Sequence, residues 1–197
     1  MYFSRAVYHS GLNYFHWSIP IQWSKFSLRG LFMAIREGKT VEQFRGVFTE
    51  YIPPALDWVR DQVELYESSG GTVGTTLSDT GLPCIIVTHM GNKTGAVRKI
   101  PVMRIEVDNS YVLVASPNYD LDSGRPKIPM WVHNLRANPD VEIRDKTEVF
   151  KMRVREVTDD QERERLWDAG VKAYPPYNDY QSKSSREFPV FIAEPTY

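Results

Sequence analysis

One cysteine in 197 residues, Cys84, excludes an internal disulfide, and its place in an apolar run makes a small buried thiol the expectation. Charge of one sign is lacking too. Twenty-four basic against twenty-five acidic side chains leave a formal net charge of -1, so no global field draws the chain onto nucleic acid or an acidic membrane. Any anion site must therefore be local. No apolar run is long enough to span a bilayer, and the start Met1-Tyr2-Phe3-Ser4-Arg5 lacks the basic-then-apolar pattern of a secretory leader. A cytoplasmic protein is expected. Familiar catalytic signatures are also missing: no G-x-S-x-G elbow, no Gly-x-x-x-x-Gly-Lys-Ser/Thr order and no carboxylate pair recognisable by spacing. His9, His16, His89 and His133 have no close Cys, Asp or Glu set of the kind a metal needs. If the chain is an enzyme, a bound organic cofactor is left to carry the reactive atom, with the protein supplying position and electrostatics.

What is present is a folding composition, 42% hydrophobic and 13% aromatic. Residues 1–40 are aromatic and basic, with Trp17, Trp23 and Phe26 beside Lys25, Arg29 and Arg36, and Glu37 as the one acidic residue. An arm packed on the domain is the plainer reading. Peripheral contact with a lipid interface is the alternative, because Trp and cations favour the headgroup level. Two helices separated by Pro53-Pro54 follow, the second with Leu56, Val59, Val63 and Tyr66 at helical spacing and Gly70-Gly71 as its stop. The expected division is an N-terminal aromatic and helical arm, 1–69, and a cofactor-binding domain, 70–197.

From Cys84 the period changes to two. Ile85-Ile86-Val87, then Met103, Ile105 and Val107, then Val112 and Val114 read as strands, the last two joined by Asp108-Asn109-Ser110. A helix over Pro129 to Asn138 is expected next. Val141 and Ile143, the turn Asp145-Lys146-Thr147, and a strand with Phe150, Met152 and Val154 on one face come after it. Thr158 with Gln161 predicts a capping box for a helix carrying Leu166, Trp167 and Val171, and Pro189 to Ala193 reads as a final strand. Meandering strands with few peripheral helices make the fold class mainly β (α+β), a barrel or half-barrel rather than a doubly wound parallel sheet.

Three clusters carry candidate chemistry. The turn Gly91-Asn92-Lys93-Thr94-Gly95, with Arg98 and Lys99 behind it, suits close backbone approach to an anion such as phosphate, although a solvated hairpin would look the same. The helix after Pro129 presents Met130, Trp131 and Asn134, residues able to wall a planar ring and hydrogen-bond its edge, or simply to pack. Tyr174, Tyr177 and Tyr180 recur every three residues around Pro175-Pro176, which suits the lining of a substrate pocket or packing of the core.

In combination and order these elements resemble the deazaflavin (coenzyme F420)-dependent nitroreductase family of actinobacteria, also called F420H2-dependent quinone reductases, over residues 70 to 195. The pieces are Gly91-x-Lys93-Thr94-Gly95-x-x-Arg98-x-x-Pro101, Val112 to Ser116, Pro129-x-Trp131-x-x-Asn134-Leu135-x-Ala137-Asn138-Pro139, Tyr174-Pro175-x-Tyr177-x-x-Tyr180-Gln181 and Pro189-Val190-Phe191. The resemblance implies a split β-barrel related to FMN-binding barrels. It implies hydride transfer from reduced F420 to a small electron-poor acceptor: a quinone, enone or nitro compound. It places Lys93, Thr94, Gly95 and Arg98 at the cofactor's phosphate and tail, Pro101, Met103, Ala115 and Ser116 against the ring, and Met130, Trp131 and Asn134 on the closing helix. Tyr174, Tyr177 and Tyr180 match the substrate wall, with Tyr177 and Ser116 as the catalytic candidates. After Ser116 the family's Gly-Gly pair is replaced by a longer loop that contains Arg125 and Lys127. The reading from another class is a non-catalytic barrel that binds F420, FMN or haem.

Overall fold

The computed structural model describes residues 50–116, 118–119 and 126–196. The chain divides into units 1–45 and 46–197, and every described residue belongs to the second. The aromatic segment 1–40, the helix expected before Pro53 and the loop residues 120–125 lie outside the described residues.

Helix α1 spans Asp57–Ser68. Gly70 and Gly71 then turn the chain with positive φ of 64° and 84°. At Gly71 a side chain is excluded twice over, since a Cβ there would lie 1.7 Å from the Lys146 carbonyl oxygen. The strands are β1 Thr76–Leu77, β2 Leu82–Met90, β3 Val97–Met103, β4 Glu106–Val107, β5 Ser110–Val114, β6 Asn118–Tyr119 and β7 Pro126–Lys127. Helix α2 Met130–Ala137 is followed by β8 Asp140–Asp145 and β9 Glu148–Glu156, α3 Asp160–Ala173, α4 Pro176–Ser182 and β10 Val190–Pro195.

Every pairing between these strands is antiparallel. β2, β8, β9, β10, β5 and β4 lie side by side, β1 and β3 also pair with β2, and β6 pairs with β7 apart from the main sheet. The sheet curls into a half-barrel with helices at its periphery, as the meandering pattern predicts. Period-two burial explains the curl. Ile85, Val87, Leu113, Ile143, Met152, Val154 and Phe191 point into one core, and Val112, Val114, Val190 and Ile192 on the opposite face meet α3 and α4 through Leu166 and Tyr177. The β4–β5 turn uses the residues expected, with Asp108 and Asn109 both at positive φ.

Three local expectations shift. The cap of α3 is Asp159, not Thr158: its carboxylate accepts from the Glu162 N–H at 2.8 Å, an acceptor at least as good as a threonine hydroxyl and one residue closer to the helix. Phe150 shares a strand face with Met152 and Val154 but is 40% exposed, because it lies next to the β8–β9 turn beyond the closed core, where its ring meets Tyr111 at 6.3 Å. Leu56 precedes α1 as its N-cap and is exposed, so the buried stripe of that helix is Gln62, Val63 and Tyr66.

Cys84 is buried as expected, and burial pushes its thiol up to about 12, so it stays protonated.

Candidate active site

One strand has an edge that the rest of the sheet does not fill. β3 pairs with β2 alone, and its outer side is met by a single parallel bridge, Tyr51 to Val97, closed by Ile52 N–H to Val97 O at 3.0 Å and Val97 N–H to Glu50 O at 2.8 Å. That bridge sends residues 52–59 along β3. Helix α1 is then bolted down by its second half. Gln62 Nε2 donates to Gly74 O at 2.7 Å, Tyr66 accepts from the Lys146 N–H at 2.7 Å, and Glu67 pairs with Lys99 at 2.8 Å and Arg144 at 3.3 Å.

Between this segment, the β2–β3 turn and α2 lies a cleft of about 770 Å³. Its lining combines two kinds of residue. Asn92, Lys93, Thr94, Arg98, Asn134 and His133 are polar. Ile52, Leu56, Trp58, Ile100, Pro101 and Met130 are apolar, with Trp131 against the core through Phe191 at 5.9 Å.

The β2–β3 turn is held in place by its own sequence. Gly95 has a φ of 65°, and a Cβ at Gly91 would meet the Thr94 hydroxyl at 2.7 Å, so each glycine is required for a different reason. The Thr94 hydroxyl accepts from the Ala96 N–H at 3.2 Å, and Gly95 N–H reaches Gly91 O at 2.8 Å. Asn134 Oδ1 accepts from the Asn92 N–H at 2.9 Å, and Asn138 Nδ2 donates to Met90 O at 3.3 Å, tying the turn to α2. Arg136 and Glu156, in a two-armed pair at 2.6 Å per arm, tie α2 to β9.

The cations of this region differ in fate. Lys99 is spent on Glu67. It anchors α1, a correction to its reading as part of the anion-binding set. Lys93 and Arg98 make no ion pair among the described residues. Beside Arg98 in register sits His89, 4% exposed, its Nδ1 without a hydrogen-bond partner among the described residues. Burial pushes its imidazole down to about 4, and the Arg98 guanidinium adds in the same direction, so His89 is neutral near pH 7. The sequence marked it only as a histidine without a metal set; its burial is a tertiary fact.

The structure thus brings Lys93, Thr94, Arg98, Pro101, Met130, Trp131 and Asn134 into one cleft, with Gly95 in its turn. It sets the others apart. Met103 is buried in the core on the α3 side, Ala115 in the barrel core, and Ser116 just beyond the end of β5. Tyr177 is 5% exposed against Tyr174 and Trp167, at ring distances of 5.0 and 6.1 Å, and burial raises its phenol further, helped by Tyr174 and Tyr180. The Tyr174 and Tyr180 hydroxyls lie 3.1 Å apart. None of the three tyrosines lines this cleft. Sequence reasoning missed the apolar wall from Ile52 to Val59, because no short motif announces a one-residue bridge.

Known proteins resemble this chain. The family model for F420H2-dependent quinone reductase matches residues 58–195. A Mycobacterium tuberculosis protein named as an F420H2-dependent quinone reductase is 32% identical over 131 residues, 65% of this chain and 83% of that protein. A solved F420-H2 dependent reductase is 42% identical, with a TM-score of 0.51, covering 57% of this chain and 94% of its own. Another solved chain, described as a domain-swapped dimer, is 41% identical with a TM-score of 0.53 over 70% of this chain and 98% of its own. With a family model that spans residues 58–195, the chain belongs to the F420H2-dependent quinone reductase family.

Proposed function

We propose that this cleft binds reduced coenzyme F420 and that the chain is an oxidoreductase acting on a small electron-poor acceptor. The observation that carries this reading is a pair of cations without an ion-pair partner among the described residues: Lys93, on a turn that two glycines and Asn134 hold fixed, and Arg98, at the start of the strand behind it. Cations left unpaired at a rigid site favour an anionic ligand, because no local carboxylate has to be displaced.

The residues fit the group. Lys93 and Arg98 would hold its phosphate-bearing tail, Thr94 would offer its hydroxyl hydrogen, and the half-buried Ile100, Pro101 and Trp131 would wall a planar ring. When bound, reduced F420 supplies a hydride for a quinone, enone or nitro acceptor. The chain's own task is to orient and to exclude water. Trp131 braces one wall against the barrel core, and α1, clamped by Glu67 and Tyr66, holds the other. The neutral His89 adds no positive charge beside Arg98.

An anaerobic assay with menadione as acceptor tests the reading. Loss of reduced-F420 absorbance should require both protein and acceptor. Binding of F420 without reduction of any quinone, enone or nitro compound would reduce the chain to a carrier.

A further inference from the structure

His89 is a buried group to which the cofactor assignment gives no task. Among the titratable residues lining the cleft it alone is buried: Lys93 and His133 are exposed, and Arg98 and Lys99 are half-buried. It stands directly opposite Arg98 in the β2–β3 register, so the two side chains share one face of that strand pair, with Cβ atoms about 5 Å apart in such an arrangement. Its Nδ1 is closed off from water without a hydrogen-bond partner among the described residues, so no internal bond fixes the ring's protonation state there. The ring also lines a second hollow, of about 570 Å³, with Asp140 and Glu142 from β8 and Lys151 from β9. Asp140 is taken by Arg153 at 2.7 Å, and neither carboxylate bonds the imidazole among the described residues. The ring's charge therefore answers to few influences. Burial opposes protonation most, the backbone of Val87 and of Arg98 favours it, and the Arg98 guanidinium opposes it. An anion held at Lys93 and Arg98 would offset the guanidinium and attract an imidazolium directly, through a partly buried site where charges a few ångströms apart interact more strongly than in water.

We propose that His89 is a switchable third positive charge of the anion site: the imidazole takes up a proton as the cofactor's anionic tail binds beside Arg98 and gives it up as the tail leaves, so that cofactor affinity rises as pH falls. This rests on the cofactor assignment above. Without the tail, the ring takes its proton only at about pH 4. With the tail bound, its midpoint rises toward the ordinary value of about 6.5. A midpoint raised by binding strengthens binding in full below the free value, and the gain is lost as pH rises through the bound value. At pH 7.5 the ring is neutral in both states and adds nothing.

Two measurements on the full chain test this. NMR of the imidazole signals, assigned through the backbone, follows His89 from pH 7.5 to 4.5 with and without saturating oxidised F420. The His89 midpoint should rise by about two pH units when the cofactor is bound. Fluorescence titrations with F420 at pH 7.5 and at pH 5 then compare the unmodified chain with His89→Gln, so that the cofactor's own ionisations cancel. Relative to the variant, the unmodified chain should tighten by about tenfold at the lower pH, as a rise of about two units requires, and the two chains should differ little at pH 7.5. A His89 midpoint that F420 leaves in place overturns the proposal even where the variant fails to fold, because that measurement needs no substitution. Equal tightening in both chains assigns the pH dependence to the cofactor or to His133 and overturns it as well. Absence of F420 binding by the unmodified chain at either pH overturns the cofactor assignment and this proposal together.

Discussion

The two ends of β3 carry the same kind of side chain to opposite ends. Arg98, at the start of the strand, and Lys93, in the turn before it, face the cleft with no ion-pair partner among the described residues. Arg104, just past the strand's other end, is neutralised twice: its Nε donates to Asp145 Oδ2 at 2.6 Å and its guanidinium also meets Glu106 at 2.5 Å. Asp145 is 7% exposed and accepts from the Tyr111 hydroxyl at 2.8 Å on the same oxygen, while Oδ1 has no partner among the described residues. Burial and that carboxylate both oppose ionisation of Tyr111, raising its phenol. A cation that the fold needs is given a buried carboxylate. The cations proposed to meet a ligand stand at the turn and the strand start behind it, without an ion-pair partner among the described residues. Lys99, between them, belongs with Arg104.

The comparison breaks most visibly in stability. Arg104→Leu leaves Asp145 buried with one donor, and should cost about 3–4 kcal/mol. Lys93→Ala and Arg98→Ala should each cost less than about 0.5 kcal/mol, as surface substitutions do. Urea unfolding of the three variants checks this. A cost for Arg98→Ala equal to that for Arg104→Leu would erase the distinction.

A somewhat smaller effect sharpens the picture at the cleft. The His89 imidazole lies at about 4 when folded against an ordinary value of 6.5. A lowered folded value contributes stability that is present in full above pH 6.5 and is lost as pH falls through 6.5 towards 4. At about 1.4 kcal/mol per pH unit the loss is about 2–3 kcal/mol. Unfolding measured at steps across that window should show it, and His89→Leu should remove that part of the slope. Because Arg98 adds to the depression, Arg98→Ala should move the His89 titration upward in NMR. No movement would mean that the Arg98 charge does not act on the cleft.

How much of this was legible in the sequence follows from range. Period-two runs and turn residues are local signals, so β2, β5, β9 and the Asp108-Asn109 turn could be read directly. The glycine-bracketed turn was legible because its φ and close-approach demands fall on single residues. Illegible were the long-range partners. The insertion of β10 between β5 and β9 and the bridge at Tyr51 join residues far apart in the chain. Nor could spacing tell which of Lys93, Arg98 and Lys99 is neutralised, since Glu67 lies more than thirty residues before Lys99 on another element. The family resemblance puts Met103 and Ala115 against the ring, whereas the fold buries them in the two cores.

The most direct test is a titration of the full chain with oxidised F420, followed by fluorescence at low and high salt, beside the Lys93→Ala, Arg98→Ala double variant and a parallel titration with FMN. Saturable F420 binding is expected, weakening with salt, tighter than FMN, and at least about tenfold weaker with a shallower salt dependence in the variant. Equal affinity in the variant, or no saturable binding by the unmodified chain, would contradict the assignment of the unpaired cations to the cofactor.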